Sequence, residues 1–244
     1  MKIKALILAA GYATRLYPLT ENQAKPLLEV GGKPIIEHIL ESIKKVKAIT
    51  EVLVVTNARF HHDFEVWLNH YNYPKKIKII NDGTINNTDR LGAVGDINFV
   101  LKEEEIKDDL LVIAGDNLFG FSLEKFILFY KQLNKSGVAL FNIKDKEKIR
   151  KKLGVGILNG TKIIEFQEKP VEPKSTFAAT ACYYFVKNDL NLVKQAVEKG
   201  YADNSGDLIR YLVKTSEAHG YVFSEHWFDI GSPESLAAAK EVYK

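Results

Sequence analysis

Apolar residues fill the start of the chain almost without a break. Ile3, Ala5, Leu6, Ile7, Leu8 and Ala9 make Lys2 to Ala10 read as a strand buried on both faces. The run ends in Gly11-Tyr12-Ala13-Thr14-Arg15. Pro34 then opens a helix, and Ile35, Ile36, Ile39, Leu40 and Ile43 recur at helical spacing. Glu51 to Thr56 predicts a second buried strand. A helix over Ala58 to Tyr71 carries Phe60, Phe64, Trp67, Leu68 and Tyr71, and Ile77 to Ile80 predicts a third strand. A polar stretch, Asn81 to Arg90, leads into a helix from Ala93 to Lys102. Leu110 to Ala114 is a fourth buried strand, ending at Gly115-Asp116-Asn117. Ser122 can cap the next helix, whose apolar face holds Phe126, Ile127, Phe129 and Leu133.

Strands alternating with helices, regular to about Phe141, predict a Rossmann-like, doubly wound, mostly parallel α/β sheet. The grammar then changes. Val155–Leu158 and Thr161–Phe166 flank Asn159-Gly160, a two-residue hairpin signal. Thr176 to Val186 is a strand, two helices follow at about 189–199 and 205–215, a strand covers about 219–225, and a helix starts at Pro233. The second half is therefore mixed, with antiparallel additions. With no repeat and no Gly/Ser/Pro linker, the expectation is one domain over 1–244, with 1–145 and 146–244 as its two halves.

Composition narrows the class. The 244 residues are 46% hydrophobic and 27% charged, as in ordinary globular proteins. No apolar run reaches the roughly 18 residues of a membrane span, and the start reads as a first strand rather than a signal peptide. Cys182 is the single cysteine and fits a reducing, cytoplasmic compartment. Lys and Arg number 34 against 31 Asp and Glu, too small a bias to invoke nucleic acid.

In an open parallel sheet, ligands bind beyond the carboxyl ends of the strands. Two predicted strand ends carry unusual chemistry. The small residues of Leu8 to Ala13 let backbone amides approach a phosphate, Arg15 adds a fork of donors, and Lys25 in Ala24-Lys25-Pro26 adds a second cation. A plain strand followed by a solvated loop explains that segment equally well when it is taken alone. Asp116 leaves a buried strand where a carboxylate can hold a hard divalent cation, although Gly-Asp-Asn is also turn chemistry. Asp229, in Trp227-Phe228-Asp229-Ile230-Gly231-Ser232-Pro233, is less easily explained as a helix cap because Ser232 already fills that role. Two carboxylates with a cationic phosphate loop suggest magnesium-assisted phosphoryl transfer. Glu168-Lys169-Pro170 reads locally as an exposed charged turn. His61, His62, His70 and His219 read as solvated rather than as metal ligands, Cys182 as a buried strand residue, and Lys144 to Lys152 as a solvated face or a flap.

Together these segments resemble the sugar-phosphate nucleotidyltransferase family, closest to its glucose-1-phosphate thymidylyltransferase branch. The motifs run in the same order over nearly the whole chain: LAAGYATRLYPLT from Leu8, KPLLEV from Lys25, GKPIIEHIL from Gly32, Gly115-Asp116-Asn117, EKPVEPKSTFAATACYYF from Glu168, and Trp227 to Gly231. The resemblance implies attack by a sugar-1-phosphate oxygen on the α-phosphorus of a nucleoside triphosphate, with dTTP or UTP and glucose-1-phosphate favoured. It leaves CTP or GTP with another sugar phosphate as an alternative, and also a non-catalytic sugar-phosphate-binding subunit. It implies Mg2+ at Asp116 and Asp229, catalytic roles for Arg15, Lys25 and Asp116, and nucleotide contacts at Leu8, Ala10, Gly11, Asn87 and Gly92. It implies sugar-phosphate contacts at Gly154, Glu168 and Lys169. A homo-oligomer stays open. The chain departs from the family's pattern at Ala13 and Ala181, each replacing a glycine of that pattern, and most of all over Asn81 to Asp96. It stops soon after the helix that follows Asp229, so no regulatory tail of the thymidylyl branch is expected.

Overall fold

The computed structural model describes residues 2–243. Its first half has β1 (Ile3–Leu8), a small hairpin of β2 (Glu29–Val30) and β3 (Lys33–Pro34), then α1 (Ile35–Lys44), β4 (Ile49–Thr56), α2 (His61–His70) and β5 (Lys76–Asn81). It continues through α3 (Ala93–Glu103), β6 (Asp109–Ala114), β7 (Asn117–Phe119), α4 (Leu123–Leu133) and β8 (Ser136–Asn142). The second half has β9 (Val155–Asn159), β10 (Lys162–Gln167), β11 (Phe177–Phe185), α5 (Leu190–Glu198), α6 (Ser205–Thr215), β12 (Ala218–Phe223), β13 (Trp227–Asp229) and α7 (Pro233–Val242).

The doubly wound expectation holds. Nine strands form one sheet in the order β5-β4-β1-β6-β11-β8-β12-β10-β9, and only β10 and β11 run against the other seven. Alternate residues of β1 feed opposite faces: Ile3, Ala5 and Ile7 join the core under α1, and Leu6 joins the core under α3, α5 and α6. Both sides are apolar, which is why β1 shows no alternation in sequence.

Several boundaries move. The first strand stops at Leu8, so Ala9 and Ala10 belong to the loop, and the second helix starts at His61 rather than Ala58. Phe60 nevertheless packs in the core. The parallel alternation does not continue unbroken to Phe141, because β11 inserts between β6 and β8, pairing Cys182 with Ile113 and Tyr183 with Val138. The hairpin forms, but its two loop residues are Gly160 and Thr161: Asn159 pairs with Lys162, and Gly160 takes the positive φ of 58°. His219 is a buried strand residue, not a solvated one, hydrogen-bonded to Thr161 at 3.0 Å. Among the described residues no helix is long and apolar enough to cross a membrane.

At the sheet edge opposite the β1 loop, Asp109 is 1% exposed. It accepts from the Tyr184 hydroxyl at 2.6 Å and from the Lys187 amide at 3.0 Å, tying β6 to the end of β11. A buried carboxylate that loses such a donor costs about 2 kcal/mol. Tyr184→Phe should lower the thermal midpoint by roughly 4–8 °C with turnover below the transition unchanged. An unchanged midpoint would remove that role from the contact.

Candidate active site

The strand order reverses at β1, whose neighbours β4 and β6 lead to opposite sides of the sheet. Above the carboxyl ends lies a cleft of about 430 Å³ lined by the β1 loop, Lys25, Asp116 and Ala181. Leu8, Ala10, Gly11, Arg15, Asn87 and Gly92 all line it. A second hollow of about 150 Å³ adjoins it, sharing Ala181, Asn204 and Ser205 and holding Gly154, Glu168 and Lys169. Asp229 lines neither hollow.

The loop after β1 is built to present donors. Among the described residues no backbone acceptor takes the amides of Gly11, Tyr12 or Ala13. Ala13 holds a left-handed conformation, φ 47° and ψ 38°, where a side chain costs about 1–2 kcal/mol. Its carbonyl accepts from the Leu16 amide at 2.9 Å and the Thr20 hydroxyl at 2.8 Å, which holds the turn and aims the next residues outward. Ala181, the other departure from glycine, has φ 52° at the register break of β11. Both alanines therefore occupy backbone that favours glycine and keep the turn at a steric cost.

The two aspartates meet through a small two-stranded sheet. Strand β13 pairs with β7, setting Asp229 opposite Asn117, and the Ile230 amide donates to the Asp116 carbonyl at 3.1 Å. Trp227 Nε1 donates to Asn117 Oδ1 at 2.6 Å, and Asn117 Nδ2 donates to Asp116 Oδ1 at 2.9 Å. Asp116 Oδ2 accepts from Lys25 Nζ at 2.6 Å. Asp116 is dehydrated, yet Lys25 and Asn117 outweigh that and lower its pKa. Asp229 keeps an exposed face, and the protein crowding its other sides partly dehydrates it. That dehydration, with the Asp116 charge, pushes it up to about 6, opposed by Lys25, Arg15 and Lys169. Those three cations and Asp116 thus all act on Asp229, Arg15, Lys25 and Asp116 from the larger hollow and Lys169 from the smaller. Asp229 is no helix cap: Ser232 and Ser235 form the capping box of α7.

In the smaller hollow the Glu168 carboxylate lies against two glycines. A Cβ on Gly206 would stand 1.8 Å from Glu168 Oε2, and one on Gly154 would stand 2.7 Å from it, so neither position admits a side chain without moving the acid. Burial raises the Glu168 pKa, with Lys169 opposing. The ammonium of Lys169 lies 3.6 Å from Glu168 Oε1.

A family model described as nucleotidyl transferase matches residues 4–244. The chain belongs to the nucleotidyl transferase family. This nucleotidyl transferase is 31% identical over 240 residues to the "bifunctional protein GlmU" of Methanocaldococcus jannaschii, covering 97% of this chain and 53% of that protein. It is 29% identical over 234 residues to a "putative mannose-1-phosphate guanyltransferase" of Sulfolobus acidocaldarius, covering 95% of this chain and 60% of that one. The chain thus spans about half the length of the curated relatives it matches. Among solved structures, a putative glucose-1-phosphate thymidylyltransferase of Bacillus anthracis superposes with a TM-score of 0.83 at 25% identity, covering 99% of this chain and 95% of that one. A UDP-glucose pyrophosphorylase, at 20% identity and a TM-score of 0.83 over 100% and 98% of the two chains, shares the fold.

Other lining residues of this nucleotidyl transferase escaped the sequence reading. Arg90 grips Asp203 with Nε at 3.2 Å and Nη2 at 3.0 Å, and donates to Asn87 at 3.1 Å, closing the rim of the cleft. Ser205 accepts from Tyr183 at 2.7 Å, and Lys152, within the charge run, reaches the smaller hollow. Asp96, in the first turn of α3, lines the cleft with its carboxyl facing Asp82. The signal available for it was an acid interrupting the apolar run of that helix. Cys182 is buried, and its thiol pKa is raised by dehydration. Among the described residues no three His, Cys, Asp or Glu side chains form a metal cage.

Burial and the Asp82 charge push Asp96 up to about 8. Tyr12, Asp89 and Arg59 are the other titratable groups acting around the pair. The folded chain therefore holds a proton that the unfolded chain releases near pH 4, so the pair lowers stability as pH rises from about 4 to about 8. Asp96→Asn should gain thermal stability over the parent at pH 8 and much less at pH 5. A gain equal at both pH values would remove the shared proton.

Proposed function

We propose that this chain transfers a nucleotidyl group from a nucleoside triphosphate to a sugar-1-phosphate, releasing pyrophosphate, with residues 1–145 holding the nucleotide and 146–244 the sugar phosphate as one unit. The observation that carries this reading is a convergence of charge from two adjoining hollows: Arg15, Lys25 and Lys169 act on the same Asp229 carboxylate beside Asp116. The adjoining smaller hollow, with Glu168 and Lys169, suits the hydroxyls and phosphate of glucose-1-phosphate, the acceptor we favour.

The chemistry joins two polyanions. A phosphate monoester has its second pKa near about 6, so the attacking oxygen is already ionised at neutral pH and needs no general base. One of its oxygens bonds to the α-phosphorus as the bond from that phosphorus to the β-bridging oxygen breaks, and pyrophosphate leaves. Catalysis then reduces to positioning and charge stabilisation. The free amides of Gly11 to Ala13 take phosphate oxygens. Arg15 and Lys25 carry the charge that grows on the leaving pyrophosphate. Lys169 holds the acceptor's phosphate, and Glu168, backed by Gly154 and Gly206, accepts from sugar hydroxyls.

The donor set fits a hard divalent cation. Asp116 is neutralised by Lys25, whereas Asp229 is left raised beside it, so one more positive charge restores both acids. Asp116 and Asp229 would hold Mg2+, which would supply charge stabilisation at the α-phosphate. The comparisons support the family chemistry, and the cation, the cytoplasmic setting and the monomeric or oligomeric state are our extension of it.

Pyrophosphate release from nucleoside triphosphates and sugar-1-phosphates, with magnesium, tests the reading, and silence across that panel would refute it. Asp116→Asn and Asp229→Asn should each abolish magnesium-dependent turnover without unfolding the chain, and parental rates in either would remove the cation site. Lys169→Ala should raise the sugar-phosphate KM and lower kcat. A change confined to the nucleotide KM would show that its role is misassigned. Arg15→Ala should cost kcat about 10²-fold, since its charge acts on the transition state.

A further inference from the structure

The end of the larger cleft away from Asp116 holds two buried acids that the transfer chemistry leaves idle. Asp82 follows β5 and Asp96 lies in α3; they are 9% and 6% exposed. Asp82 Oδ1 accepts from the Thr84 amide at 2.7 Å and the Thr84 hydroxyl at 2.8 Å. Asp82 Oδ2 and Asp96 Oδ1 are sealed from solvent and have no partner. The groups acting on Asp96 are burial and Asp82, with no cation among them. One proton shared between these two oxygens reconciles them. The second oxygen of Asp96 is not among the sealed atoms, and Asp96 lines the cleft. Whichever acid owns the shared proton, that second oxygen carries none and can only accept.

The fold gives the acid no other employment. A residue in the first turn of a helix can serve its free amides, but those of Ala93, Val94 and Gly95 already donate to the Asp203 and Ala202 carbonyls at 2.9–3.0 Å. An alanine at this position would suit the helix and relieve the dehydration. The sheet order β5-β4-β1-β6 sets Asp82 and Asp116 three strand spacings apart, about 14 Å. With phosphates at Arg15 and Lys25, a nucleoside laid along the β1 loop brings its base to the acid pair.

We propose that Asp96, positioned by Asp82, selects the nucleobase, and that the base carries an exocyclic amino group on the edge facing it, as cytosine, guanine and adenine do. The inference rests on the nucleotidyl-transfer reading and departs from the dTTP or UTP favoured by resemblance. An amino group donates to the open oxygen of Asp96. In place of that amino group uracil and thymine carry a carbonyl, which sets two acceptors against each other and leaves N3–H as their one donor on that edge. Sites that hydrogen-bond a buried polar group reject analogues that leave it unpaired far more strongly than apolar pockets reject a methyl.

Calorimetric titration of the whole chain with the magnesium complexes of GTP, CTP, ATP, UTP and dTTP tests this without assuming a sugar. At least one amino-bearing nucleotide should bind about tenfold or more tightly than both UTP and dTTP. Asp96→Ala should shrink that ratio below about threefold, with thermal unfolding run alongside to confirm the fold. The parent's ranking decides the base class by itself should the variant fold poorly. Tighter binding of UTP or dTTP by the parent, or an undiminished ratio in a folded Asp96→Ala, overturns the proposal and leaves nucleotidyl transfer standing. Failure of all five to bind overturns nucleotidyl transfer, and the base assignment with it.

Discussion

The 2.6 Å ion pair between Lys25 and Asp116 is the contact around which the candidate site is arranged. A carboxylate at the end of a buried strand is dehydrated, and an unpaired one would shift its pKa upward and take a proton. Lys25 reaches it from the segment between β1 and β2, so the cationic arm and the acid at the end of β6 define one hollow. Among the described residues Asp229 has no such partner. Its carboxyl is pushed up to about 6 beside the Asp116 charge. The ligand-free site therefore has one acid matched and one unmatched, a charge balance that invites a further cation together with the phosphates it would hold.

Sheet order does the rest of the positioning. Parallel strands β5, β4, β1 and β6 end on one edge, so four separate loops converge above them. The antiparallel strand β11 then carries the second half across to the same edge, and its bulge at Ala181 sits between the two hollows. Positive φ at Ala13, Lys169 and Ala181 places strained backbone at the loop, at the cation of the smaller hollow and at the divide. Each is a residue with a Cβ where glycine fits best, and each faces the cleft system.

Much of this was legible in the chain. Continuous apolar runs located β1, β4 and β6 because both faces of the sheet are covered, and Gly115-Asp116-Asn117 and Trp227 to Gly231 located the acids. Their docking was not legible: the Trp227–Asn117–Asp116 relay depends on β13 pairing with β7, and three-residue strands leave no periodic signal. The hairpin was placed one residue early because Asn159-Gly160 and Gly160-Thr161 share the glycine that supplies the left-handed turn. Nothing in the sequence joined Asp82 to Asp96, since only the packing of α3 onto the sheet brings the two carboxyls together. Gly206 carried no motif at all. Its need for a bare Cα arises from the Glu168 carboxylate, which comes from a distant strand end.

If Lys25 occupies the charge position that a divalent cation shares on ligand binding, then removing it frees Asp116 beside the unmatched Asp229. Magnesium titration of the nucleotide-free protein by calorimetry tests this with no turnover involved. The account predicts that Lys25→Ala binds magnesium more tightly than the parent, and that Asp229→Asn in the same background loses the gain. Unchanged or weaker magnesium binding by Lys25→Ala would contradict the account.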